Sequence, residues 1–223
     1  MQIGILGTGM VGRALAEGFV RTGHDVSLGA RDVDATMVRP LVGTPGSIAA
    51  WLAENPSVAL ADLASVAAAA EVVVNATNGA GTIGALTEAG ASNLAGKVLL
   101  DIANPLDFSE GFPPTLTVKD TDSLGEQVQR TFPEARVVKT LNTMNATLMT
   151  RPELLPEPTA VFLSGNDPEA KAVVSGLLRE FGWTDILDLG DMTTARGPEM
   201  WLPMWLRVMG AVGGPMFNLR IVR

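Results

Sequence analysis

The stretch GILGTGMVGRAL, residues 4–15, decides how the rest of the chain is read. Gly7, Gly9 and Gly12 stand in the G-x-G-x-x-G arrangement, a weak signal by itself in a chain with 24 glycines. Context strengthens it. The motif follows the apolar run Gln2 to Leu6, which reads as a strand, and opens a segment in which Val11, Leu15 and Phe19 recur at four-residue spacing. In that order the three glycines have separate tasks: Gly7 permits a tight turn, Gly9 lets a pyrophosphate approach the backbone, and Gly12 lets the helix pack closely on the strand. Exposed amides and the positive end of the helix dipole attract the phosphates. Thr8 can add a hydroxyl, and Met10 and Val11, where the helix begins, belong to the same cradle. The bland alternative is a βα turn that holds no ligand.

Gly23 closes that helix and Asp25 to Leu28 reads as a second strand, completing a βαβ unit. The strand leads into SLGARD. An acidic residue near this point accepts from the ribose hydroxyls of NAD, whereas an arginine accommodates the 2′-phosphate of NADP. Ala30 and Arg31 come first, favouring NADP; Asp32, one place later, is the competing candidate and favours NAD. Arg31 is also readable as an ordinary solvated charge.

Further apolar runs near Val58 and over Glu71 to Ala76, Lys97 to Ile102 and Ala135 to Lys139 alternate with helical segments. Nearly all-apolar strands are those buried on both faces, so the pattern predicts an α/β, Rossmann-type, doubly wound and mainly parallel sheet. In such a sheet the ligand crosses the carboxyl ends of the strands, which here carry Asn75, Ala76 and Thr77, then Asn104 and Pro105. Small and amide side chains suit ribose and nicotinamide, although Asn and Pro are also common turn formers. The proline-rich ANPLDFSEGFPP reads as an excursion at that edge. Residues 1–145 are expected to form the dinucleotide-binding domain. Residues 146–223 are expected to form a smaller C-terminal lobe for substrate or dimer contacts, apart from it or in one compact unit with it. In this lobe TAVFLSG and TDILDLG read as strands around a helix with Asp167 as N-cap, Pro168 in its first turn and Gly182 at its end.

Composition excludes several chemistries. There is no cysteine and no tyrosine, and one histidine, so disulfides, thiolate metal sites, cysteine nucleophiles, tyrosine acids and multi-histidine metal cages are ruled out. The net charge of -8, with basic residues scattered, argues against nucleic acid as a partner. No leader-like segment or run of about 20 apolar residues is evident, and the chain reads as soluble and cytoplasmic, with no membrane partner. His24 falls at the edge of the sheet away from the expected site. Lys139 flanks the right edge but reads equally as a strand-end surface charge. Met200 with Met204 and Trp201 with Trp205 fall at helical spacing, which suggests core or dimer interface ahead of a wall for a second substrate. Arg207, Arg220 and Arg223 are candidates for an anionic tail, or simply solvated.

IGILGTGMVGRALA, GHDVSLGARD, VLLDIANPLD and VVKTLNTMNA together resemble the coenzyme F-420-dependent NADP oxidoreductases, over the N-terminal two thirds and in order. The resemblance implies a Rossmann domain with a small C-terminal lobe, usually dimeric, whose cleft juxtaposes NADP and the deazaflavin F-420 for direct hydride exchange. It also implies that Thr8, Ala30 and Arg31 grip the 2′-phosphate, with alanine where many members have serine. Leu141, Asn142 and Thr143 fall beside the deazaflavin, where the best-known members have leucine, histidine and threonine. Asn142 and Thr143 are accordingly candidates for positioning substrate; Asn142 donates a hydrogen bond but holds no proton. Two other functions fit the same residues: an NADPH-dependent reductase of a small imine, quinone or carbonyl, and a non-catalytic NADP-binding redox sensor. No metal site is expected.

Overall fold

Strands whose residues are apolar on both sides need cover on both faces, and the computed structural model, which describes residues 1–41 and 46–222, supplies it. The strands are β1 (Gln2–Leu6), β2 (Asp25–Ala30), β3 (Val58–Asp62), β4 (Val72–Asn75), β5 (Val98–Asp101), β6 (Leu106–Asp107), β7 (Thr115–Leu116), β8 (Arg136–Thr140), β9 (Ala160–Gly165) and β10 (Asp185–Asp188). Eight of them form one sheet in the order β10-β9-β8-β5-β4-β1-β2-β3. Strands β1 to β5 and β8 are parallel; β9 runs antiparallel to β8, and β10 is parallel to β9. The two strands from residues 146–222 thus extend the same sheet. Strands β6 and β7 pair separately as a small antiparallel ribbon within the proline-rich excursion.

Helices α1 (Met10–Arg21), α2 (Val33–Val38), α3 (Ile48–Glu54), α4 (Leu63–Ala69), α5 (Thr82–Ala89) and α6 (Ala91–Leu94) connect the first five strands. Beyond them come α7 (Leu124–Thr131), α8 (Ala146–Thr150), α9 (Pro168–Glu180), α10 (Arg196–Met200) and α11 (Leu202–Val212). Successive strand residues point to opposite faces. Ile3, Ile5, Val72, Val74, Leu100 and Val138 therefore join Leu15 and Phe19 of α1 and Val174 and Leu177 of α9 in one buried cluster. Leu6, Val73, Leu99 and Val137 join Leu63 and Val66 of α4, Leu86 of α5 and Val128 of α7 in the other. A fully buried side chain such as Phe19 contributes about 2–3 kcal/mol through lost apolar surface.

Helix ends follow their sequence signals. Asp62 and Asp167 cap α4 and α9 by accepting from the amides of Ser65 and of Glu169 and Ala170. Gly23 takes φ +86 just past α1, where His24 N donates to Phe19 O at 3.0 Å and turns the chain into β2. Pro203 lies in the first turn of α11, where its missing N–H costs little. Among the described residues no helix is long and apolar enough to cross a membrane.

Candidate functional site

The strand order reverses between β1 and β4, and the loops after these strands diverge to opposite faces, leaving a crevice at their carboxyl ends. Gly7, Thr8 and Gly9 form its floor. Gly7 has φ +119, and a Cβ there would stand 2.5 Å from Ala76 O. A Cβ on Gly12 would stand 2.0 Å from Gly7 O, so α1 can start only where that side chain is absent. At Gly9 nothing lies within 4 Å of an added Cβ: the space in front of this backbone is open. Gly9 is the N-cap of α1 and contributes no side-chain bond, so the amides of Met10 and Val11 have no side-chain partner from the cap. The residues present fit a dinucleotide diphosphate.

The crevice has two parts. A cleft of about 600 Å³ runs over Gly7, Thr8, Gly9, Ala30, Arg31, Asp32, Thr36 and Arg39. A smaller cavity of about 190 Å³ lies between Val11, Ile102, Ala103, Asn104, Leu106 and Phe108. Ala76, Thr77 and Asn78 border both. None of the residues lining the smaller cavity has an ionisable side chain.

At the end of β2, Asp32 accepts from Ala35 N at 2.9 Å as N-cap of α2, while the Arg31 side chain is largely exposed, with Glu88 Oε2 at 3.8 Å from Nε. Thr8 is buried and is held from outside the motif. Arg39 Nη2 donates to Thr8 Oγ1 at 2.6 Å and to Thr8 O at 3.2 Å, and Arg13 Nη1 donates to the same carbonyl at 3.4 Å. Burial, with Arg39 nearby, lowers the Arg13 pKa against the opposing influence of Glu17. Arg39 was missed in the sequence because it follows the motif by thirty residues and no spacing rule points to it.

Other expected site residues sit elsewhere than anticipated. Parallel register aligns Asn75, Asp101 and Lys139 in one row across β4, β5 and β8, and all three are buried. Asn75 Nδ2 donates to Asp101 Oδ1 at 2.6 Å, and its Oδ1 accepts from Thr77 Oγ1 at 2.6 Å. The Asn75 side chain is therefore internal and supports Thr77 from behind, instead of facing ribose. Lys139 is not a surface charge: its side chain has no exposure, and Nζ lies 2.8 Å from both Asp101 Oδ2 and Glu199 Oε1 and also donates to Ala103 O. Burial works against the ammonium charge, yet the two carboxylates hold the pKa above the ordinary lysine value. Glu199 in turn accepts from Leu124 N at 2.8 Å and Gly125 N at 2.9 Å, at the start of α7. A single charge inside an apolar strand was the one sequence signal for this pairing.

Asn104 and Asn142 bond to each other: Asn142 Nδ2 donates to Asn104 Oδ1 and Asn104 Nδ2 to Asn142 O, both at 2.9 Å. Leu141, just before, takes φ +60, a left-handed conformation that costs about 1–2 kcal/mol for a residue with a side chain. The turn brings the buried Asn142 against Asn104, which lines the smaller cavity. Pro105 is buried behind Asn104, and Thr143 lines a separate apolar cavity of about 220 Å³ with Phe162, Leu189, Pro198 and Trp201. His24 lies at the opposite edge, with Nε2 at 2.6 Å from Glu180 Oε2. Arg220 pairs with Glu157, Arg207 is exposed, and Arg223 lies outside the described residues. No metal-binding cluster occurs among the described residues.

Residues 2–105 match the model of a family described as NADP oxidoreductase, coenzyme F-420-dependent. A candidate F-420-dependent NADP reductase from Arthrobacter sp. FB24, solved by crystallography, is 57% identical with TM-score 0.96, and the alignment covers all of both chains. The metalloreductase STEAP3 of Rattus norvegicus is 29% identical over 209 residues; the match spans 92% of this chain but 38% of that protein's length. An imine reductase from Aspergillus terreus, solved with NADPH4 and dibenz[c,e]azepine, is 19% identical with TM-score 0.65, covering 95% of this chain and 63% of that one; this likeness shows the fold. On the full-length match at more than half identity, the chain belongs to the coenzyme F-420-dependent NADP oxidoreductase family.

Proposed function

We propose that this NADP-dependent oxidoreductase exchanges a hydride directly between NADP(H) and the deazaflavin coenzyme F-420. The single observation that carries the proposal is the lining of the smaller cavity: apolar side chains, small residues, amides and the Thr77 hydroxyl, with no ionisable side chain to serve as acid or base. Reduction of a carbonyl or imine benefits from a positioned acid. Exchange between two cofactors passes hydride between their ring carbons, with the proton that accompanies deazaflavin reduction taken from water, and the protein supplies orientation. When bound, NADPH supplies the hydride.

The chain's own residues then have separate tasks. Gly9, with the amides of Met10 and Val11, holds the diphosphate; Thr8, Ala30 and Arg31 take the ribose phosphate end; Ala76, Thr77 and Asn104 border the nicotinamide. The bond from Asn142 orients the Asn104 amide at the cavity, and Val11, Ile102 and Phe108 restrict water there. Mixing the purified protein, NADPH and oxidised F-420 is expected to bleach the deazaflavin absorbance. A flat trace with saturating NADPH overturns the proposal, and NADPH loss with an imine, quinone or carbonyl in its place supports a small-molecule reductase instead.

A homodimer belongs to the same reading. Helix α11, LPMWLRVMGAV, is mostly apolar, yet only Leu202 of it is buried within the chain, while Met204 and Val212 stand exposed.

A further inference from the structure

We infer that Arg39 is a determinant of NADP over NAD, acting with Thr8 on the 2′-phosphate. The protein carries a net charge of -8, yet Arg31 and Arg39 line one cleft and the buried Arg13 donates to the carbonyl of Thr8, which lines it too. Among the described residues no carboxylate lies within ion-pair distance of Arg13 or Arg39, and Arg31 has only a long contact to Glu88. The nearby carboxylate of Glu17 is engaged by Trp51 Nε1 at 2.9 Å. Burial first, and then the like charge of Arg39 beside it, lower the Arg13 pKa. A fold that holds Arg31 and Arg39 at a ligand cleft, with no carboxylate among the described residues paired to Arg39 and only a long contact at Arg31, is built for an anion of more than one charge.

Geometry selects which anion. Arg39 lines the larger cleft together with Ala30, Arg31 and Thr36, which follow or end β2, and takes no part in the smaller cavity. In a doubly wound sheet that end receives the adenosine ribose, while the diphosphate lies over the glycines. The bond from Arg39 Nη2 occupies a lone pair of Thr8 Oγ1 and leaves the hydroxyl proton free to donate outward. One phosphate monoester can then accept from Thr8 Oγ1 and from the remaining N–H groups of Arg39 and Arg31. Arg39 thus supplies a donor on the side where Ala30 has none. Asp32, the residue that favours NAD, has its Oδ1 turned to the amide of Ala35 as the cap of α2.

The inference rests on NADP being the cofactor, and the probes separate the two. Calorimetric titration of wild type, Arg39→Ala and Arg39→Lys with 2′-AMP, 5′-AMP, NADPH and NADH is the test. Arg39→Ala is expected to weaken 2′-AMP and NADPH by about 10- to 100-fold, the scale of losing hydrogen bonds to a charged group, with 5′-AMP and NADH within about twofold. Arg39→Lys, which keeps the charge but loses the planar fork, falls between. Equal losses for NADH and NADPH would assign Arg39 to the diphosphate or to the fold, and no loss with any probe would leave it only bracing Thr8; either overturns the inference. If wild type itself binds 2′-AMP no better than 5′-AMP, it is the choice of cofactor that fails. Should Arg39→Ala melt well below wild type, the ratio of NADPH to NADH affinity in Arg39→Lys decides.

Discussion

Gly9 and Gly12 belong to one motif but meet opposite constraints. A methyl group on Gly9 enters open space, and its φ of -75 suits any residue, so Gly9→Ala is expected to melt with wild type while losing NADPH affinity by tenfold or more. A methyl on Gly12 meets the Gly7 carbonyl at 2.0 Å, so Gly12→Ala is expected to lose about 1–3 kcal/mol of stability before any ligand is added. Parallel thermal melts and titrations separate the cases; a destabilised Gly9→Ala would mean that the open space is needed by the fold. Arg31→Ala is expected to weaken NADPH more than NADH in the same titrations. These roles were legible in residues 4–15 because a βα turn is a local structure. Arg39 was not, because its reach to Thr8 depends on where α2 ends.

At the scale of elements, the row Asn75, Asp101, Lys139 is a product of strand register, and its charges are shared with the start of α7 through Glu199. Lys139→Met leaves two carboxylates buried without their cation, and is expected to cost about 3–5 kcal/mol in chemical denaturation. A loss below about 1 kcal/mol would show that the carboxylates take up protons or reach water. The helix caps give a pH signature. Asp167 caps α9 and is bound by Arg136, whose hydrogen bonds hold its pKa at about 2 against an ordinary 3.8. The unfolded chain takes up that proton first, so the stabilising contribution is complete above pH 3.8 and is lost as the pH falls toward about 2. Asp167→Asn, which keeps a cap acceptor, is expected to lose less stability than wild type across that window; superimposable acid-unfolding curves would refute this. The cap itself could be read from the sequence NDPEA, but the partner in β8 could not.

For the whole molecule, α11 is a surface that remains unexplained within one chain. Trp205 stacks on Phe217 at 5.3 Å and the tail returns to β9 through Ala160 N and Leu219 O, but Met204 and Val212 stay exposed. Sedimentation of wild type is expected to give a dimer, and Met204→Glu with Val212→Glu a folded monomer; a monomeric wild type would refute it. The sequence by itself determined the alternation of strand and helix, the glycine cradle and the excluded chemistries, because periodicity, turn geometry and residue inventory act over a few neighbouring positions. Tertiary structure alone decided that Lys139 is a buried ion, that Asn75 faces inward, that Asn104 meets Asn142, and that β9 and β10 extend the first sheet in the reverse direction. Those outcomes depend on which strands become neighbours, and residues 26 and 38 positions apart share a row only after the sheet has formed.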